Sequence, residues 1–405
     1  MIFFQFRHRV KCYICVIGLN NEKIELSQNY KTMKNLRILA FTLFAGLSML
    51  FISCDDEIQT PIQEENLLPT RFTVDVPTAL TTAQSGSGRV ATTFEMQEMD
   101  GNDIYGLLRV YILVGKEAGE IVEDVMTAIS LYGIDRPMTM TYSGDEDGRT
   151  KNLEVVEGAT YDGVSYQYAL TITDADSEGN ADGGFAMQIF WDRSPVKGVA
   201  LLNPYNINRD DRSVLDNTLF RIDYDETGEN GYQASMEVSI TGLLDENDSS
   251  DQFALDNLKM FVGKTDDGVD IYGNSNHPMA KFFNDDTGFN WAFVAAGNKS
   301  EDLAVAEVGL PPSTLNSDLR AVILGDYAIK TVFEDQIREE FPNISQALLD
   351  QYLANTEAPG YFDSTGFIQG GESPGSQFDV YENRIQDLTP FNPLMIANLE
   401  ITFNQ

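Results

Sequence analysis

Apolar and polar residues alternate through most of the chain with a period of two. Phe72, Val74 and Val76 alternate with Thr73 and Asp75, and Met138, Met140 and Tyr142 with Thr139 and Thr141. Tyr166, Tyr168, Leu170 and Ile172 form one face against Gln167, Thr171 and Thr173. The pattern returns in Phe185, Met187, Ile189 and Trp191, in Met236, Val238 and Ile240, and in Leu399, Ile401 and Phe403. Period two describes strands with one wet face. Asp147-Gly148, Asp162-Gly163, Asp182-Gly183 and Asp267-Gly268 fall between such runs, where a hairpin needs residues tolerant of positive φ. The expected fold is α+β and β-dominated, a mostly antiparallel sheet (sandwich or barrel-like) with a few packed helices.

Two stretches follow the helical period instead. From Glu117 to Leu131, Ile121, Val122, Val125, Met126 and Ile129 recur at helical spacing, while Leu107 to Val114 fits strand or helix. Ile329, Phe333, Ile337 and Phe341 lie four apart before Pro342, and Ser345 caps a second helix bearing Leu348, Leu349, Tyr352 and Leu353. Residues 359–377, rich in Gly and Pro, read as a long loop. Asp245 to Asp251 is the best place for a subdivision of a domain spanning 71–405.

The N-terminal region has a different texture. Lys34 and Arg37 precede an uncharged run from Ile38 to Ile52, which ends at Ser53, Cys54 and the acids Asp55, Asp56 and Glu57. At about 15 residues the run is shorter than the roughly 20 that cross a bilayer, and it reads as a secretory signal. Leu50-Phe51-Ile52-Ser53-Cys54 resembles the lipobox of bacterial lipoprotein precursors, with Phe51 where Leu is commoner. The resemblance implies cleavage before Cys54, acylation of that cysteine and a lipid anchor. Residues 1–32 then read as an upstream extension, 33–53 as the signal peptide and 54–70 as an acylated tether. The acids after Cys54 resemble the export tag of Bacteroidota-type surface lipoproteins. That implies a place on the outer membrane, surface-exposed, with its periplasmic face as the alternative.

Removing residues 1–53 sharpens the chemistry. Of 27 basic and 63 acidic side chains these residues hold seven and two, which leaves 20 against 61. Such a charge repels phosphate backbones, so nucleic acid is excluded as a partner. One cysteine, Cys54, and one histidine, His277, remain, which excludes disulfides, thiol nucleophiles and multi-histidine metal sites. His277, in Asn-Ser-Asn-His-Pro, reads as a surface turn residue. Gly263-Lys264-Thr265 imitates a P-loop ending but lacks its first glycine, since position 258 is Leu258. Cys12-x-x-Cys15 lacks a second ligand pair.

Two features remain as candidate sites. Asp174, Asp176, Glu178 and Asp182, with Gly179 at the sixth position, imitate the start of a calcium loop, though Phe185 stands where the loop needs a bidentate carboxylate. Tyr205, Tyr272 and Tyr361 fall in Asn/Gly-rich stretches expected to be loops, where flat aromatic faces can stack sugars. Trp191 and Trp291 read as core. The sequence therefore points to a membrane-anchored, non-enzymatic surface binding protein, with a glycan or an outer-membrane protein as partner and no cofactor beyond a candidate calcium. The alternatives are a structural or adhesive envelope or fimbrial subunit and a carboxylate-based glycoside hydrolase, which needs no histidine.

Overall fold

A computed structural model describes residues 67–69, 71–81, 101–131, 133–144, 147–210, 216–244, 254–280 and 288–404. The segments expected to be an upstream extension and a signal peptide, with Cys54, lie outside the described residues. The tether's last residues do not: Leu67 and Leu68 are buried, and the Trp191 indole donates to the Leu67 carbonyl at 2.9 Å. The domain therefore begins before residue 71, because two leucines that near the sheet gain more by burial than by staying in water.

Thirteen strands form one antiparallel sheet in simple chain order. They are β1 (Met138–Ser143), β2 (Thr150–Tyr161), β3 (Val164–Asp174), β4 (Phe185–Arg193), β5 (Val196–Leu202), β6 (Leu219–Asp225), β7 (Ala234–Thr241), β8 (Asn257–Lys264), β9 (Val269–His277), β10 (Phe289–Asn298), β11 (Leu303–Gly309), β12 (Gly360–Asp363) and β13 (Gly366–Gly370). The sheet is open: β1 and β13 end it and do not pair with each other. All four Asp-Gly pairs sit in connections between neighbouring strands. At the tightest, Tyr161 pairs with Val164, and Asp162 (φ 48°) and Gly163 (φ 78°) supply the two left-handed residues the turn demands. β7 pairs directly with β8, so the sheet runs unbroken across the Asp245–Asp251 segment.

The inner face carries one long helix, α1 (Gly101–Ser130), which merges the helix expected from Glu117 with the ambiguous Leu107–Val114 run. It runs across the strands. Tyr105 packs on Phe362 and Phe367 of β12 and β13, and Tyr111 on Trp291 and His277 of β10 and β9. A Cβ on Gly115 would meet Met260 of β8, and one on Gly119 would meet Met236 of β7. Four helical residues advance about 6 Å and one strand spacing is about 4.8 Å, so each turn crosses roughly one strand. Residues 71–81 cross the same face, with Phe72 stacked on Tyr224 of β6 at 5.3 Å and Asp302 receiving Ala79 N–H at 2.8 Å. The alternation at Phe72–Val76 is thus not a strand. Its apolar side chains are buried against the sheet, while Phe72 N–H bonds to the Glu123 carboxylate of α1.

The outer face has three zones. Over β2–β5, Tyr161, Ala169, Phe190, Val199 and Leu201 are covered by the extended residues 399–404. Ile401 is buried there, Phe403 stacks on Phe185 at 5.5 Å, and Gln188 exchanges two hydrogen bonds with the Asn404 backbone. This segment alternates as expected, yet it lies on a sheet face rather than in a ladder. Over β9–β12, Val294, Ala296, Val305 and Tyr361 pack beneath Ile323, Leu324 and the helix α5 (Asp379–Ile385). The helices α3 (Ile329–Glu340) and α4 (Gln346–Tyr352), where Ser345 does cap, match the expected pair; α2 (Pro204–Ile207) and α6 (Pro393–Ala397) are short. The expected long loop 359–377 holds the β12–β13 hairpin, since Gly360 and Gly370 let the strands pass close to Tyr105 and to the Asn355 and Glu357 carbonyls. Between the two covered zones, β6–β9 present a polar strip in which Arg221, Asp223, Glu237, Lys259 and Tyr272 are partly exposed and Ser235, Ser239, Phe261, Asp270 and Asn274 are buried.

Candidate functional site

Register sets the composition of that strip. Val199, Asp223, Glu237, Phe261, Tyr272 and Val294 are direct cross-strand neighbours on one rung running from β5 to β10. The next rung places Arg221, Ser239, Lys259 and Asn274 side by side, and the rung on the other side places Asp225, Ser235, Gly263 and Asp270. Met236, Met260 and Ile271, their sequence neighbours, point to the inner core. Period two therefore delivers three polar rungs with an aromatic centre.

The aromatic residues form a shelf. Phe261 and Tyr272 stack at 4.8 Å and 20°, Tyr232 joins Phe261 at 5.3 Å, and Phe391 closes the row against Tyr272 at 5.2 Å. Gly263 makes the Tyr232 position accessible, because a Cβ there would stand 2.4 Å from the Tyr232 ring. Polar groups hold the edges. Tyr232 Oη donates to Asp270 at 3.2 Å, Arg384 of α5 donates to the same carboxylate at 2.9 Å, and Asn274 donates to the Phe391 carbonyl at 3.1 Å.

Charges border the shelf as pairs. Lys259 Nζ stands 2.8 Å from Glu237 and 4.8 Å over the Phe391 ring. Arg221 grips both oxygens of Asp223 at 2.8 and 2.9 Å. Glu237 and Lys259 keep 30% and 23% of their side-chain surface, enough to reach solvent without moving freely. The Tyr272 hydroxyl makes no hydrogen bond to any described residue. Burial, reinforced by the nearby Glu237 charge, pushes its phenol up to about 12, so it remains a neutral donor at ordinary pH.

The other candidates from the sequence sit elsewhere. Asp174 is fully buried and receives Arg149 at 2.7 and 2.8 Å and Lys151 at 2.8 Å. Burial alone would raise its pKa, but those hydrogen bonds outweigh it and hold the carboxyl well below the usual range. Lys151 also bonds to Asp147 at 3.0 Å and to the Asn206 carbonyl at 2.8 Å. Asp182 accepts from Asn206 at 2.7 Å, and Glu178 from Asn152 at 2.8 Å. Among the described residues no group of three or more His, Cys, Asp or Glu side chains is placed to hold a metal. Asp174, Asp176, Glu178 and Asp182 are therefore not gathered as a ligand set: Arg149 and Lys151 hold the Asp174 carboxylate, and amides of Asn206 and Asn152 hold Asp182 and Glu178. Tyr205 lies in α2 with the Arg209 guanidinium 4.2 Å over its ring.

Tyr272 and Tyr361 are strand residues, not loop residues, because each lies opposite a partner residue in its ladder. Tyr361 is 1% exposed and packs edge-on to Phe378, so it is core. His277 is likewise no surface turn residue. It ends β9, 2% exposed, with Nε2 3.0 Å from Ser275 Oγ and its ring between Tyr111 and Phe289. Trp191 and Trp291 are buried as expected.

Sequence reading thus reached one shelf residue, Tyr272, and missed Phe261, Phe391, Glu237 and Lys259. One signal was present: within Leu258-Lys-Met260-Phe-Val262 the positions off the Leu258–Met260–Val262 face hold Lys259 and an aromatic, Phe261. Comparison with protein-family models, with curated proteins and with solved structures finds no match.

Proposed function

We propose that the chain is a lipid-anchored surface protein, acylated at Cys54, whose domain is a non-enzymatic glycan-binding module with the β6–β9 shelf as its binding face. The observation that carries the reading is the Phe261–Tyr272–Phe391 row, in which Tyr272 and Phe391 are partly exposed over a buried Phe261, between two covered zones and bordered by polar pairs. Sugars offer an apolar ring face and a rim of hydroxyls, and a stacked aromatic floor with fixed donors and acceptors complements both. Because β-strands carry the floor, its geometry is set before a ligand arrives, which limits the entropy lost on binding.

A carboxylate-based hydrolase is the second reading. Asp223 and Glu237 are direct cross-strand neighbours, the arrangement a two-carboxylate mechanism would use. Each is already bound to a cation, Arg221 or Lys259, which favours binding over proton transfer.

The test is thermal unfolding of the full chain in mild detergent against a panel of oligosaccharides, alongside Tyr272→Ala. A ligand at 100 times its Kd stabilises the native state by about 2.7 kcal/mol. Binding at the shelf predicts a shift for the native chain and none for the variant. Equal shifts in both proteins place the site elsewhere, and release of shortened sugar supports the hydrolase.

A further inference from the structure

Resting on that reading, we infer that the shelf selects uncharged sugar rings, with Glu237 and Lys259 reading one pair of adjacent hydroxyls and Tyr272 supplying a hydroxyl donor beside them. Lys259 Nζ stands 2.8 Å from Glu237 Oε1, and both side chains are partly exposed, so a carboxylate acceptor and an ammonium donor lie side by side within reach of solvent. Adjacent hydroxyl oxygens on a pyranose stand about a hydrogen-bond length apart, as do Lys259 Nζ and Glu237 Oε1. One hydroxyl gives its hydrogen to Glu237 while its neighbour accepts from Lys259. Both side chains are held before binding, Lys259 by Glu237 on one side and the Phe391 ring on the other.

Charge decides the class. An acidic sugar on this floor finds no uncommitted cation, because Asp223, one strand from Glu237 on the same rung, and Asp270, one rung over beside Tyr272, already hold the nearby arginines. Arg221 is fully engaged by Asp223 and Asp162, and Arg384 by Asp270 and Thr265, so neither is available to a ligand carboxylate. The chain's net charge of −36 adds a repulsive field. Neutral rings avoid all of these terms.

Isothermal calorimetry on the full chain in mild detergent separates the possibilities. The probes are four neutral oligosaccharides (cellohexaose, xylohexaose, mannohexaose and maltohexaose) and one uronate of equal length, hexagalacturonate. At least one neutral probe should bind ten times or more tightly than the uronate, at both low and high salt. Glu237→Gln and Lys259→Met, with native thermal stability as the folding control, should each weaken that probe about tenfold, and Glu237→Gln should narrow the gap to the uronate. Tyr272-dependent binding of hexagalacturonate as tight as any neutral probe overturns the inference and leaves the glycan reading standing. Neutral binding unchanged in both charge variants overturns it too. Tyr272-independent binding, or none with any probe, removes the reading beneath it.

Discussion

Asp174→Asn tests whether the buried ion cluster holds the β2–β3 end of the sheet. The substitution keeps size and removes the charge that Arg149 and Lys151 share. Breaking a buried ion pair on one side typically costs about 3–5 kcal/mol, because the partner charge is left without compensation. Lys151 retains Asp147 and the Asn206 carbonyl, and Arg149 is 30% exposed and can turn to water, which places the loss near ~3 kcal/mol at the low end of that range. At about 2 °C per kcal/mol for a domain of this size, the melting temperature should fall by about 6 °C at pH 7. The pH dependence gives a second signature. The native Asp174 carboxyl is held below its unfolded value, so its contribution is complete above the unfolded pKa of about 3.9 and is lost as pH falls through the folded one. The gap between native chain and variant should therefore stay constant from pH 7 to about 5 and narrow below about 4. Differential scanning calorimetry at stepped pH measures both. A gap that persists undiminished at pH 2–3, or no gap at pH 7, refutes the assignment of stability to this carboxylate.

Three further outcomes follow from the same geometry. Arg109 is 3% exposed on α1, bonds to no described residue and has a buried Nε without a partner; burial lowers its basicity, opposed by the Asp302 charge, so Arg109→Met should raise the melting temperature, by about 1–4 kcal/mol of stability, in a denaturant titration. Gly263→Val should drive the Tyr232 ring off β8, cost about 1–3 kcal/mol by overpacking and weaken any shelf ligand, as thermal unfolding with and without sugar would register. Cys54→Ala should abolish fatty-acid labelling and release the protein from membranes, since stable anchoring takes two acyl chains or signals; surviving label contradicts the lipobox assignment.

Strand content was legible because a half-buried antiparallel strand writes its register into the sequence, as in Tyr166–Ile172, and because Asp-Gly turns mark the hairpins. Two segments with the same signature, Phe72–Val76 and Leu399–Phe403, are not strands. Alternation reports one-sided burial, and lying across a sheet face produces it as well as joining a ladder does. Leu107–Val114 was ambiguous because a helix buried on several sides loses its polar stripe. The ion cluster is not legible along the chain, since Arg149 and Lys151 stand some 25 residues from Asp174 in sequence and meet it only through the β2–β3 pairing. The shelf depends on register across four strands and on Phe391, delivered from beyond α5. Only Tyr272 stood out along the chain.

Hydrogen–deuterium exchange of the full chain, with and without the tightest-binding oligosaccharide, tests the location of binding most directly. Protection is predicted in peptides covering residues 232–239, 259–272 and 384–391, with the Asp174–Arg209 cluster unchanged. Protection centred on that cluster, or none in the shelf strands at saturating sugar, would contradict a binding face on β6–β9.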